Sequence, residues 1–129
     1  MKVKRLAAFF AIFVGISIIG VWTMLYITGS IPELNTEPIR IVMHMVAEIT
    51  TGIILILGAY GLLNNKKWGY NTYLISMGML IYTLIVSPGY YAEKGNYLFV
   101  GIFIIMAFLA IMLIIVSLIK KQDFTPNTK

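Results

Sequence analysis

Residues 40–68 read RIVMHMVAEITTGIILILGAYGLLNNKKW. From Ile41 to Leu63 the stretch is apolar apart from His44 and Glu48, and it ends in a polar run, Asn64-Asn65-Lys66-Lys67, followed by Trp68. Roughly twenty residues of helix, at about 1.5 Å each, cross a bilayer core of about 30 Å. The stretch therefore has the length and composition of a membrane-crossing helix. The turn NNKKW is so short that the apolar segments on either side of it must be antiparallel neighbours.

Three further segments repeat the pattern. Leu6–Ile27, Gly69–Ser87 and Tyr97–Ile119 are long, apolar and free of charge. Of the 129 residues, 60% are hydrophobic and only 12% charged, so the chain has too little polar surface to cover itself in water. Lipid satisfies that composition, and in lipid an open chain can satisfy its backbone only as helix. β-Barrel strands would be shorter and would alternate polar with apolar residues. The expected architecture is all-α: one integral membrane domain over 1–129, a four-helix up-down-up-down bundle with helices near 6–27, 38–63, 68–87 and 96–119. The first segment follows a basic start, MKVKR, like a signal peptide. Its apolar run is too long for one and no small-residue cleavage site ends it, so it reads as a retained helix.

The net charge of +5 follows the membrane rather than a nucleic acid. Lys2, Lys4 and Arg5 precede the first segment, Lys66 and Lys67 separate the second and third, Lys120 and Lys121 end the fourth, and Lys129 ends the chain. The other side holds Arg40 and Lys94 beside Glu33, Glu37 and Glu93. The excess of Lys and Arg on one side predicts a cell-membrane protein with both termini cytoplasmic. Trp68, Tyr90, Tyr91 and Tyr97 fall at the segment ends, where aromatic rings favour the interface. The absence of cysteine excludes disulfides, thiol catalysis and thiolate metal sites.

Local signals set the expected ends. Thr36, Glu37 and Pro38 look like a helix start, with Thr36 as the capping hydroxyl. Pro88-Gly89 reads as a helix stop, and the tail KQDFTPNTK as polar and loose. Gly15, Gly20, Gly52, Gly58, Gly61, Gly78 and Gly101 suit close helix contact.

The functional question lies in the second segment. Arg40, His44 and Glu48 are four residues apart and share one stripe of a helix. Arg40 sits at the outer interface, where its head can reach water. Glu48 is eight residues further in, roughly 12 Å deeper. An ionised group at the bilayer centre costs on the order of 2.5–3.5 kcal/mol by insertion scales. Glu48 must therefore be protonated, paired or turned toward the bundle. Depth matching brings Thr23, Tyr82 and Thr83 level with His44, and the third segment carries a hydroxyl stripe of Thr72, Ser76, Thr83 and Ser87. The expected site is an outer-half polar cluster of Arg40, His44, Glu48, Thr23, Tyr82 and Thr83. Such a cluster fits polar glue between helices, a ligand site opening outward, proton or ion handling, or, with only two ligands, a metal. The pairs Met43/Met45 and Met77/Met79 suggest Cu(I), but residues two apart on a helix point in opposite directions, which favours packing. No recognised catalytic fingerprint occurs, and no nucleophile–base pair can be named.

Residues 47–63, AEITTGIILILGAYGLL, resemble the second-helix signature of the DoxX-like small membrane proteins. The shared features are an acidic residue, a glycine a few residues on, and a Leu/Ile-rich run before a short polar turn; the four-helix layout and chain length are similar too. The chain departs from that pattern in its SPGYYAEKGNY loop and its basic C-terminus. Glu48 stands where the family has its acidic residue. The resemblance implies an accessory membrane subunit, in some relatives linked to quinone or sulfur redox complexes.

Three function classes follow. One is a membrane protein that binds a protein partner, a second copy of itself or a small apolar or anionic ligand at the cluster. Another is an accessory subunit of a quinone-linked oxidoreductase, with Trp22 and Tyr82 lining an apolar cavity beside Glu48. The last is an ion-handling component that works only as an oligomer. The residues themselves predict no cofactor and lean away from an enzyme; a quinone is the one cofactor the second class admits.

Overall fold

The computed structural model describes residues 2–126, so Lys129 lies outside the described residues. The described chain is helical without strands: α1 Lys2–Ile27, α2 Glu33–Thr36, α3 Pro38–Leu63, α4 Gly69–Glu93, α5 Tyr97–Ile119 and α6 Lys121–Phe124. α1, α3, α4 and α5 have 26, 26, 25 and 23 residues, and each is long and apolar enough to cross a membrane. They alternate in direction, and the principal packings run in chain order, α1 on α3, α3 on α4 and α4 on α5.

The surface is as apolar as the composition leads one to expect. Phe9, Phe13, Ile75, Ile105, Phe108 and Met112 are all exposed, on every one of the four long helices except α3, which exposes Val46 and Leu57. A water-soluble monomer does not carry an apolar surface of that extent. The interior is built from smaller groups. Ala7, Ala8 and Ala11 of α1 meet Leu55 and Ala59 of α3, Tyr73, Met77 and Leu80 of α4, and Ala110 of α5 in one core.

Where helices cannot gain by leaving water, close backbone contact holds them. A Cβ on Gly15 of α1 would lie 2.7 Å from the Gly52 carbonyl oxygen of α3, and one on Gly58 of α3 would lie 2.7 Å from the Tyr73 Cα of α4. Gly61 meets Gly69 in the same way one turn on. Gly20, Gly78 and Gly101 have no neighbour within 4 Å of such a Cβ, so the expectation of close contact fails at those three.

Helix ends differ from the expected ones for local reasons. α1, α3 and α4 each end on a residue with positive φ, Gly29 (66°), Asn65 (54°) and Gly95 (73°). The next amide then reaches back five residues: Ser30 to Leu25, Lys66 to Gly61 and Asn96 to Tyr91. This closure satisfies carbonyls that a helix end otherwise leaves open. α4 does not stop at Pro88 but runs on to Glu93. Proline removes one bond, that to the Leu84 carbonyl, and a membrane helix tolerates the loss when neighbours compensate. Thr36 is not the cap of α3; it belongs to α2, Glu37 takes the cap position without a side-chain bond, and Pro38 opens the helix as expected.

The C-terminal tail is also not loose through residue 124. α6 turns Phe124 into the inner end of the bundle, 2% exposed, stacked on Tyr73 at 6.0 Å and tilted against Tyr70 at 6.3 Å. Tyr70 Oη donates to the Ser117 carbonyl at 3.0 Å, and Tyr73 Oη lies 3.0 Å from Ser117 Oγ. These bonds tie α4 to α5 at the end opposite Glu48. Ser76, from the expected hydroxyl stripe, is buried and donates to the Tyr73 carbonyl of its own helix.

The α3–α4 contact sets a test of this packing. Gly58→Ala forces backbone apart and is expected to cost about 1–3 kcal/mol. Gly78→Ala meets open space and is expected to be neutral. Thermal unfolding of the two variants in one detergent compares them directly.

Candidate functional site

The carboxyl of Glu48 is the centre of the half of the bundle in which α3 begins. Glu48 is 8% exposed, and it is on the face of α3 that packs toward α1. Counting from the Gly15–Gly52 contact, Trp22 stands about 10 Å further out along α1 and Glu48 about 6 Å further out along α3. Side chains lean toward the N-terminus of their own helix. The two helices are antiparallel, so Trp22 leans inward and Glu48 outward, and they meet. Trp22 Nε1 donates to Glu48 Oε2 at 2.6 Å.

The second oxygen is treated differently. Glu48 Oε1 is buried and has no hydrogen-bond partner among the described residues. Its nearest basic atom is His44 Nε2 at 3.8 Å, beyond hydrogen-bond range. The His44 side chain is 41% exposed, so it forms the open edge of the site. The Trp22 and His44 rings pack edge to face, centroids 5.7 Å apart, which fixes the imidazole over the carboxyl. On α4, the Tyr91 ring stacks on Phe103 of α5 at 5.5 Å.

The structure thus brings together two of the six residues expected in the cluster, His44 and Glu48, and separates the others from it. Arg40 turns away and pairs with Glu37 at 2.6 Å, on an exposed face where such a pair contributes about 0–1 kcal/mol. Thr23 Oγ1 donates to the Ile19 carbonyl of its own helix at 2.7 Å. Tyr82 is 72% exposed on the outer surface of α4. Thr83 is half-buried and bonds neither Glu48 nor His44. Depth alone selected Thr23, Tyr82 and Thr83, and depth does not report which side of a helix faces the carboxyl; Arg40 came from the four-residue spacing, which does not fix where a long side chain turns.

Trp22 is the partner that depth matching passed over. The signal for it is chemical: an indole N–H is a donor that needs an acceptor when withdrawn from water, and Glu48 is the one acidic side chain inside the apolar segments. No group of three metal-ligating side chains occurs among the described residues. The methionine pairs do not form a site either: Met43 is exposed and Met77 is buried in the core. Among the surface grooves of the described residues are two that Glu48 does not line. One, about 250 Å³, lies beside Pro88 between α4 and α5. The other, about 460 Å³, lies at the α5–α6 corner.

A hydrogen bond to a charged group contributes about 1.5–3 kcal/mol, and an unpaired buried acceptor costs about 1–3 kcal/mol. Trp22→Phe keeps a ring and removes the donor, and it is expected to lower stability by about 2 kcal/mol. Glu48→Leu in that background is expected to cost less than the sum of the two single changes, as measured by a double-mutant cycle of unfolding free energies.

No curated protein and no solved structure matches the chain. A family model does, over residues 1–129: the chain belongs to the family described as a domain of unknown function, DUF8058.

Proposed function

We propose that the protein is a multi-pass integral membrane protein with both termini in the cytoplasm, and that its outer-half cluster of Glu48, Trp22 and His44 has two roles. It ties α1 to α3, and it receives a hydrogen-bond donor from a small ligand with an otherwise apolar body, or from a partner helix, reaching the edge between those helices. The observation that carries this reading is the unpaired, buried Glu48 Oε1 beside a half-open His44. A group that only glued helices together would have both oxygens bonded.

The arrangement favours a donor over an anion, because Arg40 is engaged by Glu37 and the free atom at the site is an acceptor. A quinone ring fits less well. It calls for an aromatic-lined cavity beside Glu48, whereas Tyr82 is exposed and neither groove includes the carboxyl. The Lys/Arg bias between the two ends supports the orientation.

Native mass spectrometry of the full chain from mild detergent tests the binding role. Wild type is expected to retain a molecule or partner that Glu48→Gln and Glu48→Leu lose while Glu37→Gln keeps it. Identical bound species in all four proteins would refute it. The orientation is tested separately. Since the chain has no cysteine, single-cysteine variants are free of background. Asn35→Cys is expected to react with a membrane-impermeant maleimide on intact cells, and Lys67→Cys only after permeabilisation.

A further inference from the structure

The end of the bundle opposite Glu48 collects unneutralised positive charge. Lys2 and Arg5 at the start of α1, Lys66 and Lys67 in the α3–α4 turn, and Lys120 and Lys121 at the α5–α6 junction are all exposed. Among the described residues, the Lys/Arg–carboxylate ion pair is Arg40–Glu37, at the other end. Asp123 is the one acid at this end. Unpaired like charges in one place repel one another and attract groups of opposite charge.

The three basic segments are fixed relative to one another. Lys4 Nζ, itself buried, donates to Asn65 Oδ1 at 2.7 Å and joins the start of α1 to the α3–α4 turn. Lys121 Nζ stands 5.9 Å from the centre of the Tyr70 ring and joins the α5–α6 junction to the start of α4. Phe124, anchored on Tyr73, holds that junction in place. The corner it makes is a groove of about 460 Å³ lined by Ile119, Lys120, Lys121, Gln122 and Asp123, with an apolar wall and two ammonium groups. At the same level Trp68 stacks on Tyr60, centroids 6.4 Å apart, half-exposed in the manner of aromatic residues at a headgroup boundary.

We propose that this end is a docking surface for the phosphate groups of anionic lipids, gathered between the α3–α4 turn and the α5–α6 corner. The ammonium groups meet phosphate, and Ile119, Trp68 and the exposed face of α5 meet the acyl chains. A lipid satisfies both chemistries at once, whereas an acidic peptide or a nucleic acid satisfies only the charge. The inference needs the membrane-spanning reading but is independent of any ligand at Glu48, which lies at the other end.

The test uses the purified full chain in mild detergent, with phosphatidylglycerol and phosphatidylcholine of identical acyl chains offered in turn and adducts counted by native mass spectrometry. Phosphatidylglycerol is expected to be retained preferentially, and less so as salt rises. Each basic residue near such a surface is worth about a fivefold change in affinity. The combined variant Lys66→Gln, Lys67→Gln, Lys120→Gln, Lys121→Gln is therefore expected to lose the preference by at least tenfold. Arg40→Gln with Lys94→Gln, at the other end, is expected to leave it intact. If the combined variant unfolds, Lys67→Gln and Lys120→Gln singly carry the same reading at a few-fold each. Equal retention of both lipids by wild type, or an undiminished preference in variants that remain folded, overturns the proposal.

Discussion

Hydrocarbon offers no hydrogen bonds, and four helices long and apolar enough to cross a membrane form the kind of structure that this constraint allows. Every backbone amide must find a partner within the chain, so the described residues are helix with three short links closed by positive-φ residues. Every polar side chain drawn below the surface must do the same. Most of the hydroxyls resolve this locally, as Ser17, Thr23 and Thr51 donate to carbonyls four residues back on their own helices. A carboxyl cannot, since it has no proton to give while ionised. Glu48 has to be met by another helix, and the Trp22 indole meets it.

The two ends of the bundle are held by different pairings. Near Glu48, α1 and α3 are joined by one indole–carboxyl bond; at the opposite end, α4, α5 and α6 are joined by Tyr70, Tyr73, Ser117 and Phe124. Between them the backbones touch at glycines, because lipid gives helices no drive to hide apolar surface from solvent. α3 lies at the middle of this arrangement. It contacts α1 through Gly52 and Glu48, and α4 through Gly58 and Gly61, so a single helix carries both the close contacts and the acid.

Much of this was legible in residue order. Four apolar runs and a five-residue turn sufficed for four antiparallel helices, since length and hydropathy are sums over many residues. Single-residue signals were weaker. Pro88-Gly89 has the chemistry of a stop, yet one missing bond is a small loss inside a helix already committed on both sides. Phe124 sits in a polar tail, and only the pair of tyrosine rings some two helix lengths away in sequence shows why it is buried. In the site, His44 and Glu48 were visible because helical spacing places them on one stripe. Thr23 and Tyr82 were not excluded, because the direction of a side chain around its helix depends on which neighbours pack where. That information resides in the Gly15–Gly52 contact, which no local pattern announces.

The contrast between the two polar groups is what separates structure from function here. At Ser117 every partner is used: the carbonyl accepts from Tyr70, the hydroxyl pairs with Tyr73, and the same hydroxyl donates to Leu113. Nothing is left for an outside molecule, and burial of the whole group costs little. At Glu48 one oxygen is satisfied and the other is not, while an imidazole 3.8 Å away remains partly open. That imidazole also packs edge to face on the Trp22 ring, centroids 5.7 Å apart. That half-satisfied carboxyl, beside a side chain that remains accessible, is the observation on which the proposed binding role rests.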